Sequence, residues 1–320
     1  MALLALTLAL LTITVATMTI EEKPLDMAPE SFDDQYQGCG PAMKAELPAL
    51  NHSEFHDNPS FADMWPVSVE RWKYQGSPVS PLSSPDQAIA IMTATNLDLY
   101  EYFNEEVREA GRSAQEYRYN FHYKTLHFLL TDALATLRDA HKGQKCHLVF
   151  RGVYYLRYKA KPGDIVRFGH FMSSTLNKTV AERSGITTLF KVQTCHGADI
   201  QAFGDNPDKD DVLIPPFEKF KVTKVIEKGE KVEIHLDSIG TYSKYNCEMT
   251  LLSWEVGPGA HLGPSILTIL GFWDSGSCGS GIAHWRAAVR AGNQLQFRVP
   301  PAGGSTSLAR GSGMVWMERP

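Results

Sequence analysis

The chain has 320 residues, 43% hydrophobic and 21% charged, with a formal net charge of −5. Such a composition can bury a sizeable core in one large domain or two small ones. It contains no long basic run, and phosphate backbones are gripped by clustered Lys and Arg, so the pattern argues against nucleic acid as the main partner.

Residues 1–20, MALLALTLALLTITVATMTI, carry no charge and are almost wholly apolar. About 20 such residues could span a bilayer, but the N-terminal position and the small residues near Ala16 read as a cleaved signal peptide, although the usual positive n-region is missing. The remainder is expected in an oxidising compartment, secreted or at the extracellular surface, with no stable membrane span in the mature chain. Five cysteines follow, Cys39, Cys146, Cys195, Cys247 and Cys278. In that compartment they should pair and leave one over. Their spacing is too wide for a zinc site and no CxxC occurs, so no metal is expected. Two sequons, Asn51-His-Ser and Asn177-Lys-Thr, read as glycosylation acceptors.

The first half, about 25–142, reads as helical. SSPDQAIAIMTATN (83–96) opens with Ser84 as N-cap, Pro85 at the first helical position and Asp86 in the first turn. Ser113 and Glu116 form a capping-box pattern. Leu126, Leu129, Leu130, Ala133, Leu134 and Leu137 fall on one helical face, a stripe for core packing. From about 146 to 250 the texture changes to short β-branched and aromatic runs: HLVFRGVYYL, DIVRFGHFMSST, TTLFKVQTC, DIQAF and VLIPPFEKFKVTKVI. EKGEK (227–231) separates two of them as a hairpin turn. Helices first and strands second is an α+β pattern, and no GxGxxG follows a strand, so a dinucleotide fold of the βαβ kind is not expected. Residues 251–320 read as a Gly-rich, loosely ordered extension: twelve of the 25 glycines lie within 256–320. There SILTILGFW is too short to cross a membrane, and the last residues lack the apolar tail of a GPI signal.

Three polar features stand among the strands. Arg151 lies in VFRGV, where its guanidinium must find an anion or bear a large desolvation cost. A structural ion pair is the ordinary explanation. Ser173 lies in FMSST, and such hydroxyl clusters usually serve turns. The acids of PDKDDVLIPPFE (207–218) most often make a solvated turn.

Taken in order, an Arg on one strand, FxSST on another and acids before VLIPPFE resemble the vertebrate arginine-specific mono-ADP-ribosyltransferases. SFDDQYQGC, LNHSEF, VREAGRS, KTLHFLLTDAL, HLVFRGV, DVLIPPFE and YSKYNCE extend the resemblance over about 25–250. The resemblance implies a helical N-terminal lobe and two twisted, mainly antiparallel sheets enclosing an NAD cleft, within a domain spanning 21–250. It also implies the disulfides Cys39–Cys247 and Cys146–Cys195, with Cys278 left over. NAD, or NADP, would be the substrate, and protein or small-molecule guanidino groups the acceptors. Arg151 would hold phosphates, Asp211 would stabilise the oxocarbenium-like transition state, and Ser173 would position the carboxylate or the nicotinamide ribose.

The chain departs from the family pattern at several places. Asp211 stands at the catalytic glutamate of E-x-E, and Lys209 stands at the upstream glutamate that prepares the acceptor, with Asp210 between them. His170 replaces a glutamine and Gly204 a serine on the cofactor side, and Ala94 replaces a helix tyrosine. The altered loop leaves three expectations: an arginine transferase of reduced activity, an NAD glycohydrolase, or an inactive protein on the same frame.

Overall fold

The computed structural model describes residues 20–140, 146–184, 187–204 and 211–248, with two short strands near residue 290. Residues 1–19 of the expected signal peptide (1–20) lie outside the described residues, as does nearly all of the C-terminal stretch, including Cys278. The chain divides into two compact units, Met1–Ala260 and His261–Pro320. In the second, strands Val289–Ala291 and Gln294–Gln296 pair antiparallel.

The first unit begins with β1 (Glu21–Pro24) and then becomes helical: α1 (Gly40–Asp57), α2 (Pro59–Tyr74), α3 (Pro85–Ala94), α4 (Leu97–Glu109), α5 (Ala114–Tyr119) and α6 (Lys124–Ala140). Ser84 caps α3 with a full capping box, its side chain accepting from the Gln87 N–H while the Gln87 side chain returns to the cap backbone. At α5 Ser113 accepts from the Glu116 N–H at 3.0 Å, but the Glu116 carboxylate takes Asn120 instead of closing the box. The leucine stripe of α6 is buried as its spacing requires.

The strands follow: β2 (His147–Val153), β3 (Leu156–Lys159), β4 (Ile165–Val166), β5 (Met172–Thr175), α7 (Lys178–Ser184), β6 (Thr188–Thr194), β7 (Ala198–Asp199), β8 (Asp211–Ile214), β9 (Glu218–Lys228) and β10 (Lys231–Thr241). The sheet order is β4-β9-β10-β6-β2-β5-β8-β7, antiparallel except for β10 beside β6. The β9–β10 hairpin turns at Gly229, whose φ of 61° lies in the left-handed region that glycine tolerates. The expected strand at 199–203 is corrected. Only Ala198–Asp199 is extended, because the Asp199 carboxylate accepts from the Gln201 N–H at 2.8 Å and turns the chain into a 3-10 helix, Gln201–Phe203.

The eight strands form two sheets in all but one contact. β2 and β5 share a single residue pair, Phe150 opposite Thr175, whereas β2 and β6 share seven, from His147 opposite Thr194 to Val153 opposite Thr188. Two cores lie on either side of the smaller group. Phe171 and Leu213 join the core of the helical lobe, while Met172, Val212 and Ile214 join the core inside the sheets. This explains the unbroken apolar run of DVLI: strands covered on both faces lose the alternation of half-exposed ones.

A polar clasp fastens the N-terminal segment to the chain after β10. Asp33 meets Arg167 at 2.6 Å and accepts from the N–H groups of Lys244 and Tyr245. Asp34 accepts from the N–H groups of Tyr36, Cys247 and Glu248. Beside them Cys39 is bonded to Cys247. Gly111 completes the clasp: a Cβ there would lie 2.0 Å from the Ser31 carbonyl oxygen, so no larger residue fits. The second disulfide, Cys146–Cys195, sits one register step beyond the last β2–β6 pair.

Candidate active site

Beyond the Phe150–Thr175 pair, β2 and β5 part. A cleft of about 350 Å³ opens there, and its lining includes Arg151, Ser173 and Asp211. The ladder explains the convergence. Asp211, the first residue of β8, stands opposite Thr175, which stands opposite Phe150, the neighbour of Arg151. Ser173 lies two residues before Thr175 on β5, so three residues separated widely in sequence are brought within two register steps on three adjacent strands. Within the loop that carries the altered acids, Lys209 and Asp210 lie outside the described residues; Asp211 is described and half-buried.

Arg151 is half-buried, and among the described residues its guanidinium makes no ion pair or hydrogen bond. The structural ion pair that would ordinarily explain such an arginine is therefore absent among them. Ser173 is fixed through its backbone. Its N–H donates to the Tyr100 hydroxyl at 3.0 Å, and that hydroxyl donates to the Phe171 carbonyl at 3.0 Å. Burial raises the Tyr100 pKa, with Arg151 opposing, so the phenol stays protonated and keeps donating. Ser174, the next residue, spends its hydroxyl on the Val212 carbonyl at 2.7 Å and ties β5 to β8. Thr175 accepts from the Asn177 N–H at 3.1 Å, so the hydroxyl cluster splits into two structural members and one facing the cleft.

The last acid of PDKDDVLIPPFE behaves differently. Glu218 is fully buried; its carboxylate accepts from the Thr194 hydroxyl and from the N–H groups of Cys195 and His196, at 2.7 and 3.1 Å for the latter two. It holds the turn that carries the second disulfide. Burial raises its pKa against those hydrogen bonds.

The other expected positions do not line the cleft. His170 lies in a neighbouring cavity, 8% exposed, its Nδ1 at 2.7 Å from the Phe168 carbonyl. Burial, then Arg108 and Arg151, hold it well below the usual imidazole range, so it is neutral. Gly204 offers its carbonyl to Gln75 at 3.0 Å on the surface. Ala94 is buried in the helical core. Sequence reasoning passed over α4, whose Leu97, Tyr100 and Glu101 form one cleft wall. The signal was available: Asn96 caps the helix, and Leu99, Phe103 and Val107 at four-residue steps bury its inner face with Tyr100 beside them.

Comparison with solved structures places this architecture among the mono-ADP-ribosyltransferases. The crystal structure of ART2.2 is 34% identical, covering 71% of this chain and 98% of that one, with a TM-score of 0.61. A mutant of ART2.2 in complex with NAD matches at a TM-score of 0.60. Among sequences, the erythroblast NAD(P)+–arginine ADP-ribosyltransferase of Gallus gallus is 47% identical over 72% of this chain and 77% of the relative. The GPI-linked NAD(P)+–arginine ADP-ribosyltransferase 1 of Homo sapiens is 42% identical over 71% of this chain and 75% of that relative. The family described as NAD:arginine ADP-ribosyltransferase matches residues 25–244. The chain belongs to that family.

Proposed function

We propose that the chain transfers ADP-ribose from NAD to arginine side chains, releasing nicotinamide, and that Arg151, Ser173 and Asp211 carry the reaction. The observation behind this reading is their meeting in one cleft of about 350 Å³, a size common to small-molecule sites. Cleavage of the nicotinamide–ribose bond builds positive charge on the ribose. A carboxylate at Asp211 stabilises that charge and takes a ribose hydroxyl. The planar fork of Arg151 suits anionic phosphate oxygens. Ser173, held by Tyr100, orients the ribose or the carboxylate.

NADP is a second donor, in keeping with the NAD(P)+ in the names of the relatives. The acceptors are guanidino groups of proteins or small molecules. The two disulfides and the relatives' descriptions as GPI-linked or ecto-enzymes place the chain outside the cell, secreted or at the surface. Among the described residues no helix is long and apolar enough to cross a membrane.

The loop sets the rate. Asp211 is one methylene shorter than glutamate, and a misplacement of about 1 Å can cost on the order of 100-fold. By the family pattern Lys209 stands at the glutamate that prepares the acceptor, and a cation at that position repels an incoming guanidinium. The test is nicotinamide release from NAD by the secreted chain, with and without agmatine. Release diverted into ADP-ribosyl-agmatine establishes the transferase. Release indifferent to agmatine makes it a glycohydrolase, and no release from folded protein removes the activity. Lys209→Glu combined with Asp211→Glu should raise transfer by at least tenfold.

A further inference from the structure

The wall that carries Tyr100 does not end at the cleft. From Tyr100 to Arg108, α4 advances eight residues, about 12 Å along its axis. The segment leading into β5 runs beside it: the Phe171 N–H donates to the Asn104 side chain at 2.9 Å, and Phe171 and Ser173 both meet the Tyr100 hydroxyl. At the far end of this seam lies a second cavity of about 280 Å³, lined by Lys23, Arg108, Tyr158, Arg167, Phe168 and His170 among others. Helix and strand segment are therefore common walls of both cavities.

The charges in this cavity are unbalanced. Arg167 is committed, with Asp33 at 2.6 Å and the carbonyls of Met27, Ala28 and Tyr242 completing its fork. Of the two acids of the lining, Glu30 is paired, and Asp26 leaves one carboxylate charge against the two cations Lys23 and Arg108. Asp26 accepts from the Ala28 N–H at 2.8 Å, and Glu30 pairs with Arg112 at 2.9 Å. Arg108 is half-buried, and neither it nor the exposed Lys23 has an ion pair or hydrogen bond among the described residues. His170 adds no charge. Lys23, Arg108 and Arg151 all act on it, so their fields overlap where it sits. Half-buried guanidinium groups without acceptors are costly unless an anion completes them. Arg151 at one end of the seam and Arg108 at the other describe a track for a linear, multiply charged anion.

We propose that the Lys23–Arg108 cavity is a second anion subsite, which takes a phosphate group of the dinucleotide while Arg151 holds the charged middle nearer the cleft. This rests on the NAD reading of the cleft. The phosphate comes from one of two places on the same ligand, the pyrophosphate bridge or the 2′-phosphate of NADP.

Calorimetric binding to the full secreted chain separates the cases, with inorganic pyrophosphate, ADP-ribose, 2′-phospho-ADP-ribose and nicotinamide riboside as probes. Arg108→Gln should weaken the phosphate-bearing probes by about 10- to 100-fold, the range of a charge-assisted hydrogen bond, and leave nicotinamide riboside unchanged. Arg108→Lys should recover part of the loss. An equal loss for both ADP-ribose forms assigns the bridge, and a loss confined to the 2′-phospho form assigns the 2′-phosphate; each supports the subsite. Unchanged affinities with an unchanged melting temperature overturn it. Lys23→Gln, on an exposed strand, is the second variant and should weaken the same probes several-fold if Arg108→Gln fails to fold. Should wild type hold pyrophosphate through Arg108 but ignore ADP-ribose, the subsite stands and the NAD reading falls. Should wild type hold none of the four probes, both fall.

Discussion

Arg167 and Arg151 belong to the same sheet system and to opposite kinds of chemistry. Arg167, 2% exposed, has a carboxylate and three carbonyls around its fork. Arg151, half-buried at the parting of β2 and β5, has no ion pair or hydrogen bond among the described residues. The same functional group is a structural rivet where the fold surrounds it with acceptors, and, under the proposed function, a ligand group where the fold leaves its acceptors out. Burial separates the two by degree; the partner count separates them in kind.

That contrast breaks or holds under substitution. The largest effect should come from Arg167→Ala, which leaves Asp33 buried and uncompensated: about 3–5 kcal/mol of stability lost in denaturant unfolding. Arg151→Ala should leave the unfolding midpoint nearly unchanged and weaken NAD binding by about 10- to 100-fold. Unchanged affinity would remove Arg151 from the site. Asp211→Asn should leave NAD binding within a few-fold and slow nicotinamide release by about 100- to 1,000-fold, as expected for a group that acts on developing charge.

A smaller effect is carried by pH. Burial lowers His127 to a pKa of about 3, so below about pH 6.5 the unfolded chain takes up a proton that the folded chain refuses. Stability is therefore lost as pH falls from about 6.5 towards 3, at up to about 1.4 kcal/mol per pH unit. Protonation of Glu54 and Glu218, both raised by burial, acts in the opposite sense. The histidine's share is the difference in slope between wild type and His127→Gln. Least of all in energy, the sequons should differ in occupancy. Asn177 is exposed at the head of α7, whereas Asn51 is half-buried within α1 with its Oδ1 enclosed. Mass spectrometry of the secreted chain should find a glycan on Asn177 and none on Asn51.

Much of the frame was legible because it repeats simple rules. The Ser84 cap, the α6 stripe and the Gly229 turn each follow from local spacing. Arg151, Ser173 and Asp211 were read as a site from order and neighbours, and the strand register accounts for their lining one cleft. The rest depends on contacts that no local pattern records. α1 has no apolar stripe and contains Pro48, so only its packing marks it as a helix. Asp199 overrode a strand-like composition with one side-chain hydrogen bond. Glu218 reads as one more acid of the loop, yet its partners lie on the far end of β6. Arg108 looks like an ordinary surface residue of a helix until the cations of its cavity are seen to outnumber the unpaired acids.

The clasp has a consequence for how the molecule is made. Asp34 and Cys39 find their distant partners only at 247–248, and the Cys39–Cys247 bond spans 208 positions. Contacts so distant in sequence are slow to form and cannot begin until the late segment exists. A chain threading into an oxidising lumen from its N-terminus must therefore hold Asp34 and the Cys39 thiol without their distant partners until residues 247–248 have entered, whereas Asp33 can meet Arg167 earlier. Cys146 and Cys195, only 49 positions apart, can close first. The earlier bond secures the strands around Arg151, and the later one seals the finished domain.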